Sequence, residues 1–236
     1  MDQNTNQNRR TMLALLGGAI ALAPLGVRAQ GAAPTAPGAP AAAAKPAAAT
    51  IKLTKARTKG GRTVMEVLAR RSSTREFAAR ALSARHLGEL LWAAIGINRP
   101  DGHRTAPNWR DMHSIDVYVV MKEGAYLYDP AAHQLTLHRE GNFMALTGTQ
   151  DFVPTAALNL LMIADFTRMG SAAVEAKRIS SSADAACIGE NVYIYCASEG
   201  LGTVLRGNVD RDPLHKALGL RAEQYIAYAQ SVGYRR

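Results

Sequence analysis

Ala156-Ala157-Leu158-Asn159-Leu160-Leu161-Met162-Ile163-Ala164 is a continuous apolar run interrupted by a single amide. It does not alternate between apolar and polar residues, which suits a central strand buried on both faces. Upstream, Ile115–Met121 reads as a second strand with Ile115, Val117 and Val119 on one face. Between the two, Ala125–Leu127 and Leu135–Leu137 form a predicted hairpin around Asp129-Pro130. Further out, Val64, Met65, Val67 and Leu68 mark a first amphipathic helix. A second starts at the N-cap Ser83, runs through Leu87, Leu90, Leu91, Ala94 and Ile95, and stops at Gly96. Downstream, Ala173–Leu201 is helical with a break expected at Ser180-Ser181-Ser182. Strands follow at Thr203–Leu205 and Tyr225–Val232, separated by a helix entered through Asp212-Pro213. Helices precede and interleave the strands without a regular βαβ repeat, so the expected class is α+β.

This pattern occupies residues 61–236, one domain of ordinary size. The 47% apolar content is typical of a soluble globular protein. Ahead of it, residues 1–29 have the three parts of a signal peptide. Met1–Thr11 is polar, Met12–Leu25 is apolar and too short to span a bilayer comfortably, and Val27-Arg28-Ala29 offers small residues for cleavage. Arg9-Arg10 directly before the apolar part suggests the twin-arginine route, so an exported or periplasmic location is expected, with membrane contact only during export. Residues 30–60 read as a linker, Ala- and Pro-rich up to Thr50.

The formal charge of +9 is unevenly placed: seven of the nine net positive charges precede Gly61. The folded part is therefore nearly neutral, and a nucleic-acid partner is not expected. Cys187 and Cys196, nine residues apart in one helix, face opposite ways, cannot pair, and are expected in the core. His86, His103, His113, His133, His138 and His215 lack metal-ligand spacing, so no metal site is expected. Trp92 falls in the apolar register of its helix. Trp109 sits in a long turn-rich loop, where core packing and ligand stacking are both open to it.

Two segments carry chemistry. Arg70-Arg71-Ser72-Ser73-Thr74-Arg75-Glu76-Phe77 interleaves guanidiniums with hydroxyls just after a helix, a donor set that suits a phosphate. On composition alone it reads first as a solvated helix end whose arginines favour the C-terminal dipole. Gly96–Pro107 is a loop between a helix and a strand, where ligand contacts concentrate.

Together with Ile115-Asp116-Val117-Tyr118-Val119, Asp184-Ala185-Ala186, Glu190-Asn191, Gly200-Leu201-Gly202-Thr203-Val204 and Val232-Gly233-Tyr234, these segments resemble the nitroreductase family. The compact branch near the SagB-type dehydrogenases looks closest. The resemblance implies a mostly antiparallel sheet flanked by helices, a homodimer with FMN at its interface, and ping-pong transfer from a nicotinamide donor to a nitroaromatic or quinone-like acceptor. No side chain is implied as nucleophile, because the cofactor carries the chemistry. On this resemblance Arg71, Ser72 and Ser73 hold the FMN phosphate and ribityl chain. Arg75 approaches the end of the ring that gains negative charge on reduction. The family's Pro-Ser-x-x-Asn-x-Gln falls on Pro107, Asn108, Asp111 and His113, with Asn, Asp and His replacing Ser, Asn and Gln. A carboxylate at Asp111 disfavours an anionic reduced flavin. Backbone N–H groups around Leu205, Arg206 and Gly207 are implied near flavin N5, and Arg206, Arg235 or Arg236 completes the phosphate site. Two further readings are a periplasmic protein that carries FMN without turnover and a dehydrogenase of a peptide-derived heterocycle. A third is a tethered envelope interaction domain that holds no cofactor, suggested by the Ala/Pro-rich linker.

Overall fold

Leu158–Asp165 is a strand buried along its whole length in the computed structural model, which describes residues 49–236. Leu158, Leu160, Met162 and Ala164 face one core and Leu161 and Ile163 the other, so an unbroken apolar run is what this position requires. The elements in chain order are β1 (Thr50–Lys52), α1 (Val64–Arg70), α2 (Ala84–Ile95), β2 (Ile115–Val120), β3 (Gly124–Asp129), β4 (Gln134–Glu140), β5 (Leu158–Asp165), α3 (Val174–Glu199), β6 (Leu201–Arg206), α4 (Arg211–Leu218) and β7 (Gln224–Tyr234). They make one seven-stranded sheet in the order β1-β4-β3-β2-β5-β7-β6, with every pairing antiparallel. The expected α+β class with a mostly antiparallel, helix-flanked sheet is thus observed.

Helices α2 and α3 cover one face through Leu90, Leu91, Ala94, Ala185, Ile188, Val192 and Cys196. The other face is covered by α4 (Leu214, Leu218) and by short 3-10 turns at Met144–Thr147 and Val153–Thr155. Ser83 caps α2 as predicted, its side chain accepting from the His86 N–H at 3.2 Å. Among the described residues no helix is long and apolar enough to cross a membrane. The signal peptide and its arginine pair lie outside the described residues.

Three expectations differ in detail. Helix α3 runs unbroken through Ser180-Ser181-Ser182, because Ser181 is buried and its hydroxyl donates to the Arg178 carbonyl at 3.2 Å. Helix α1 buries only Val67; Val64, Met65 and Leu68 are 71%, 74% and 50% exposed, so its apolar side faces outward. The sheet begins at Thr50, inside the stretch read as linker, where β1 pairs with β4. Cys196 is buried and Cys187 half-buried; both are free thiols.

Candidate flavin site

The Arg71–Phe77 segment is laid along the open edge of the sheet. Ser73 bridges Thr203 of β6, and the Thr74 N–H donates to the Thr203 carbonyl at 2.9 Å. Phe77 bridges Arg235, and the Ala78 N–H donates to Tyr234 O at 2.9 Å. Two glycines permit this approach. A Cβ on Gly202 would stand 2.9 Å from Thr74 Cγ2, and one on Gly233 would stand 2.9 Å from Phe77 Cδ1.

The hydroxyls of this segment are arranged to donate outward. Leu205 N–H donates to Tyr193 Oη at 2.9 Å, which leaves the Tyr193 proton for Ser73 Oγ at 2.8 Å. Arg235 Nη1 and Nη2 both reach Ser72 Oγ at 3.3 Å. Each serine therefore accepts from the protein and keeps its own O–H for a ligand. Ser72, Ser73, Thr74, Arg75, Glu76, Arg235 and Arg236 line an open cleft of about 370 Å³. Arg71 lies over the Tyr193 ring, 5.3 Å from its centroid. Arg71, Arg75, Arg235 and Arg236 are exposed, and none is ion-paired among the described residues. Such a set fits a phosphate monoester.

Arg206 is the correction. Its side chain is buried beneath the 3-10 turns on the far face, donating to Thr147 O at 2.9 Å and to Asn159 Oδ1 at 3.1 Å. It turns inward because side chains alternate along β6, so it takes no part in the cleft; Arg235 stands there instead. Burial lowers the Arg206 guanidinium to about 10. Leu205 is half-buried with its N–H committed to Tyr193, and Gly207 is exposed just beyond the strand.

Pro107, Asn108 and Asp111 lie in a second cluster. The Trp109 N–H donates to the buried Asp184 on α3 at 2.9 Å, and Asn108 Oδ1 accepts from the His113 N–H at 2.9 Å. The Asp111 carboxylate lies between His103 Nε2 (3.0 Å) and His113 Nε2 (3.1 Å). Arg168 donates to the His113 carbonyl at 2.9 Å. Burial raises the Asp184 pKa against its bond from Trp109, and Asp184 Oδ2 has no partner. Burial, reinforced by Arg104, lowers the His113 pKa. The space enclosed behind this loop by Asp184, His113, Arg104 and Asn108 is only about 10 Å³, so no ligand enters there. Trp109 is half-buried with the Arg110 guanidinium 4.6 Å from its ring, and Trp92 packs on α2, donating to Ile97 O at 3.2 Å.

The cavities lined by the two clusters have no residue in common among the described residues. Asp184 and Tyr193, which anchor them, are separated by nine residues of α3, roughly 13.5 Å of helix rise and half a turn. Sequence reasoning missed Tyr193, His103 and Arg168. Of these only Tyr193 had a signal, a phenol in the apolar register of α3. Another cavity, of about 590 Å³, is lined by Phe77, Leu82, Leu87, Met121 and Leu158 and shares only Arg236 with the arginine-serine cleft. Among the described residues no group of three side chains could hold a metal ion.

Comparison with known proteins bears on the family and the fold. The Nitroreductase family pattern matches residues 68–234. A curated protein of Methanocaldococcus jannaschii, named as a candidate nitroreductase, is 30% identical over 152 residues, covering 60% of this chain and 77% of its own. A crystal structure from Ralstonia eutropha, also described as a candidate nitroreductase, superposes with a TM-score of 0.76 at 39% identity, covering 79% of this chain and 90% of that one. The NADPH:FMN oxidoreductase of Vibrio harveyi shares the fold, with a TM-score of 0.55 at 17% identity over 72% of this chain and 68% of that one. By the family pattern over residues 68–234 and these relatives, the chain belongs to the nitroreductase family of oxidoreductases.

Proposed function

We propose that this oxidoreductase is an exported, FMN-dependent homodimer that passes electrons from a nicotinamide or other donor to a small nitroaromatic or quinone-like acceptor by ping-pong turnover. The observation that carries this reading is the outward-donating set of Ser72, Ser73, Arg71, Arg75 and Arg235 on the edge of β6 and β7. These residues would hold the phosphate and ribityl chain of FMN, and Arg75 would face negative charge at the ring. Bound FMN would supply two-electron transfer. The protein's part is to bind, orient and exclude water, with Tyr193 tying the phosphate-type cleft to the strand at Leu205.

The dimer is supported by two features. The loop of Pro107, Asn108 and Asp111 is bonded to Asp184 of α3 and to Arg168 and lines no cavity in common with the cleft, an arrangement in which a second copy would bring the two together. Helix α1 also leaves Val64, Met65 and Leu68 uncovered, and α3 exposes Ile179 and Ile194. An apolar stripe of this kind matches a self-complementary interface. Export is supported by Arg9-Arg10 ahead of a mildly apolar segment.

The test is an absorbance spectrum of protein purified from a flavin-replete host, with the released cofactor identified by mass. Flavin bands with FMN released are expected, followed by turnover when donor and acceptor are both added. Colourless protein that does not take up added FMN overturns the reading. Bound FMN without turnover by any donor–acceptor pair would instead favour a carrier.

A further inference from the structure

Between Phe77 and the Ser83 cap the chain reads Ala78-Ala79-Arg80-Ala81-Leu82, and Ala156-Ala157 lead into β5. Both stretches line one cavity of about 590 Å³, a size that takes a small organic molecule. Their short alanine side chains leave open a space that larger ones would fill. The apolar wall draws on both faces of the sheet. Leu158, with Leu82, Leu87 and Met121 packed on its core, comes from the side of α2; Phe77 and Ala156 belong to the opposite core.

The charged residues on this wall are Arg80, Lys122, Arg236 and a single carboxylate, Glu123. Arg80 is held in place, its guanidinium 4.1 Å from the centroid of the Tyr234 ring. That ring is itself fixed: its hydroxyl accepts from the Ser83 N–H at 3.3 Å and lies 3.1 Å from His86 Nδ1. A guanidinium stacked on an aromatic face still offers the N–H groups of its edge to a carboxylate. Lys122 and Glu123 form the tip of the β2–β3 turn, closed by Met121 N–H to Gly124 O at 2.9 Å and Gly124 N–H to Met121 O at 3.3 Å. Among the described residues none of the three cations is ion-paired. The rim is therefore positive and the wall apolar. A neutral hydrocarbon would leave the rim unused, and a bare phosphate would leave the wall wet. The apolar residues exposed on α1 and α3 do not line this cavity, and the arginine-serine cleft has only Arg236 in common with it.

We propose that this cavity is a second ligand site, which takes a small organic carboxylate with an apolar body. Arg80 and Lys122 hold the carboxylate, and the wall of Phe77, Leu82, Leu87, Met121 and Leu158 covers the body. The site does not depend on the flavin reading above.

Naphthoate is the probe, and naphthalenemethanol, with the same rings and no charge, is its control. Each is titrated into the full chain carrying methyl-labelled methionine, with the Met121 methyl signal assigned through Met121→Leu. Naphthoate should move that signal at one molecule per chain, equally with and without FMN. Arg80→Ala and Lys122→Ala should each weaken it about tenfold, the worth of one charge-assisted bond, with unchanged far-UV spectra, and Arg75→Ala should not. On the parent protein naphthalenemethanol should bind about tenfold more weakly than naphthoate or worse. An unmoved Met121 signal overturns the proposal, and so does an alcohol that binds as well as the acid. Naphthoate that responds to Arg75→Ala and not to Arg80→Ala has entered the arginine-serine cleft, which removes the second site.

Discussion

Arg206 and Arg235 sit on neighbouring strands of one sheet and do opposite work. Arg235 is exposed at the end of β7 and reaches Ser72; Arg206 is 4% exposed and satisfies Thr147 O and Asn159 Oδ1 with no carboxylate near it. Arg235→Ala should therefore weaken FMN binding roughly tenfold or more, the worth of one charge-assisted bond, with little change in melting temperature. A flavin fluorescence titration checks the first part. Arg206→Ala should leave FMN affinity nearly intact but cost about 3 kcal/mol of stability, because two buried acceptors and a cavity remain. Chemical denaturation of the two variants side by side tests this. A loss of stability in Arg235→Ala, or of affinity alone in Arg206→Ala, would reverse the assignment.

At the scale of elements, α2 is where the chain ahead of α1 is fastened. Arg57 Nε lies 2.5 Å from Glu89 Oε1, Arg85 Nη1 lies 2.8 Å from Glu89 Oε2, and Tyr195 of α3 donates to the same carboxylate at 2.9 Å. The Arg57 hydrogen bond, joined by those of Tyr195 and the charge of Arg85, holds Glu89 at about 2 against burial, which acts the other way. A depressed carboxyl stabilises the fold fully above its ordinary value of 4.5 and loses that contribution as pH falls through 2. Glu89→Gln should accordingly cost about 2 kcal/mol at neutral pH, allowing for screening of the half-exposed Arg57, and should flatten stability between those pH values. Thermal melts from pH 7 to 2.5 would show it. On the same helix, a Cβ on Gly88 would stand 2.4 Å from the Thr54 carbonyl oxygen, a backbone atom that cannot swing away. Gly88→Ala should therefore loosen β1 and the chain to Arg57, read as faster amide exchange there with β5 still protected.

For the whole molecule, the decisive quantity is the number of chains needed to assemble one site. If the clusters around Ser72 and Asp111 meet only across two protomers, the native protein sediments as a dimer. Met65→Glu with Leu68→Glu should then yield a folded monomer that has lost most of its FMN affinity. Analytical ultracentrifugation with a flavin titration distinguishes this from a monomer that binds normally, which would remove the shared-site argument. Replacing Arg9 and Arg10 together by lysine should retain the full-length precursor in the cytoplasm if export uses the twin-arginine route, as fractionation would reveal.

Local pattern was enough for much of the architecture. The apolar run at Ala156–Ala164, the hairpin around Asp129-Pro130 and the Ser83 cap each depend on neighbouring residues alone, so strands, helices and class were legible. The arginine-serine segment was legible too, since charge and hydroxyl spacing survive in one dimension. Three matters needed tertiary structure. Whether Arg206 or Arg235 reaches the cleft depends on which way each strand residue points once β6 and β7 pair. Whether Ser180-Ser181-Ser182 breaks α3 depends on a buried environment in which Ser181 bonds back to its own helix. The meeting of Asp101, His103, Asp111 and His113 depends on a loop folding back through left-handed residues. Short-range propensity is a property of the chain, whereas the direction of a side chain and the closure of a loop are settled by long-range packing.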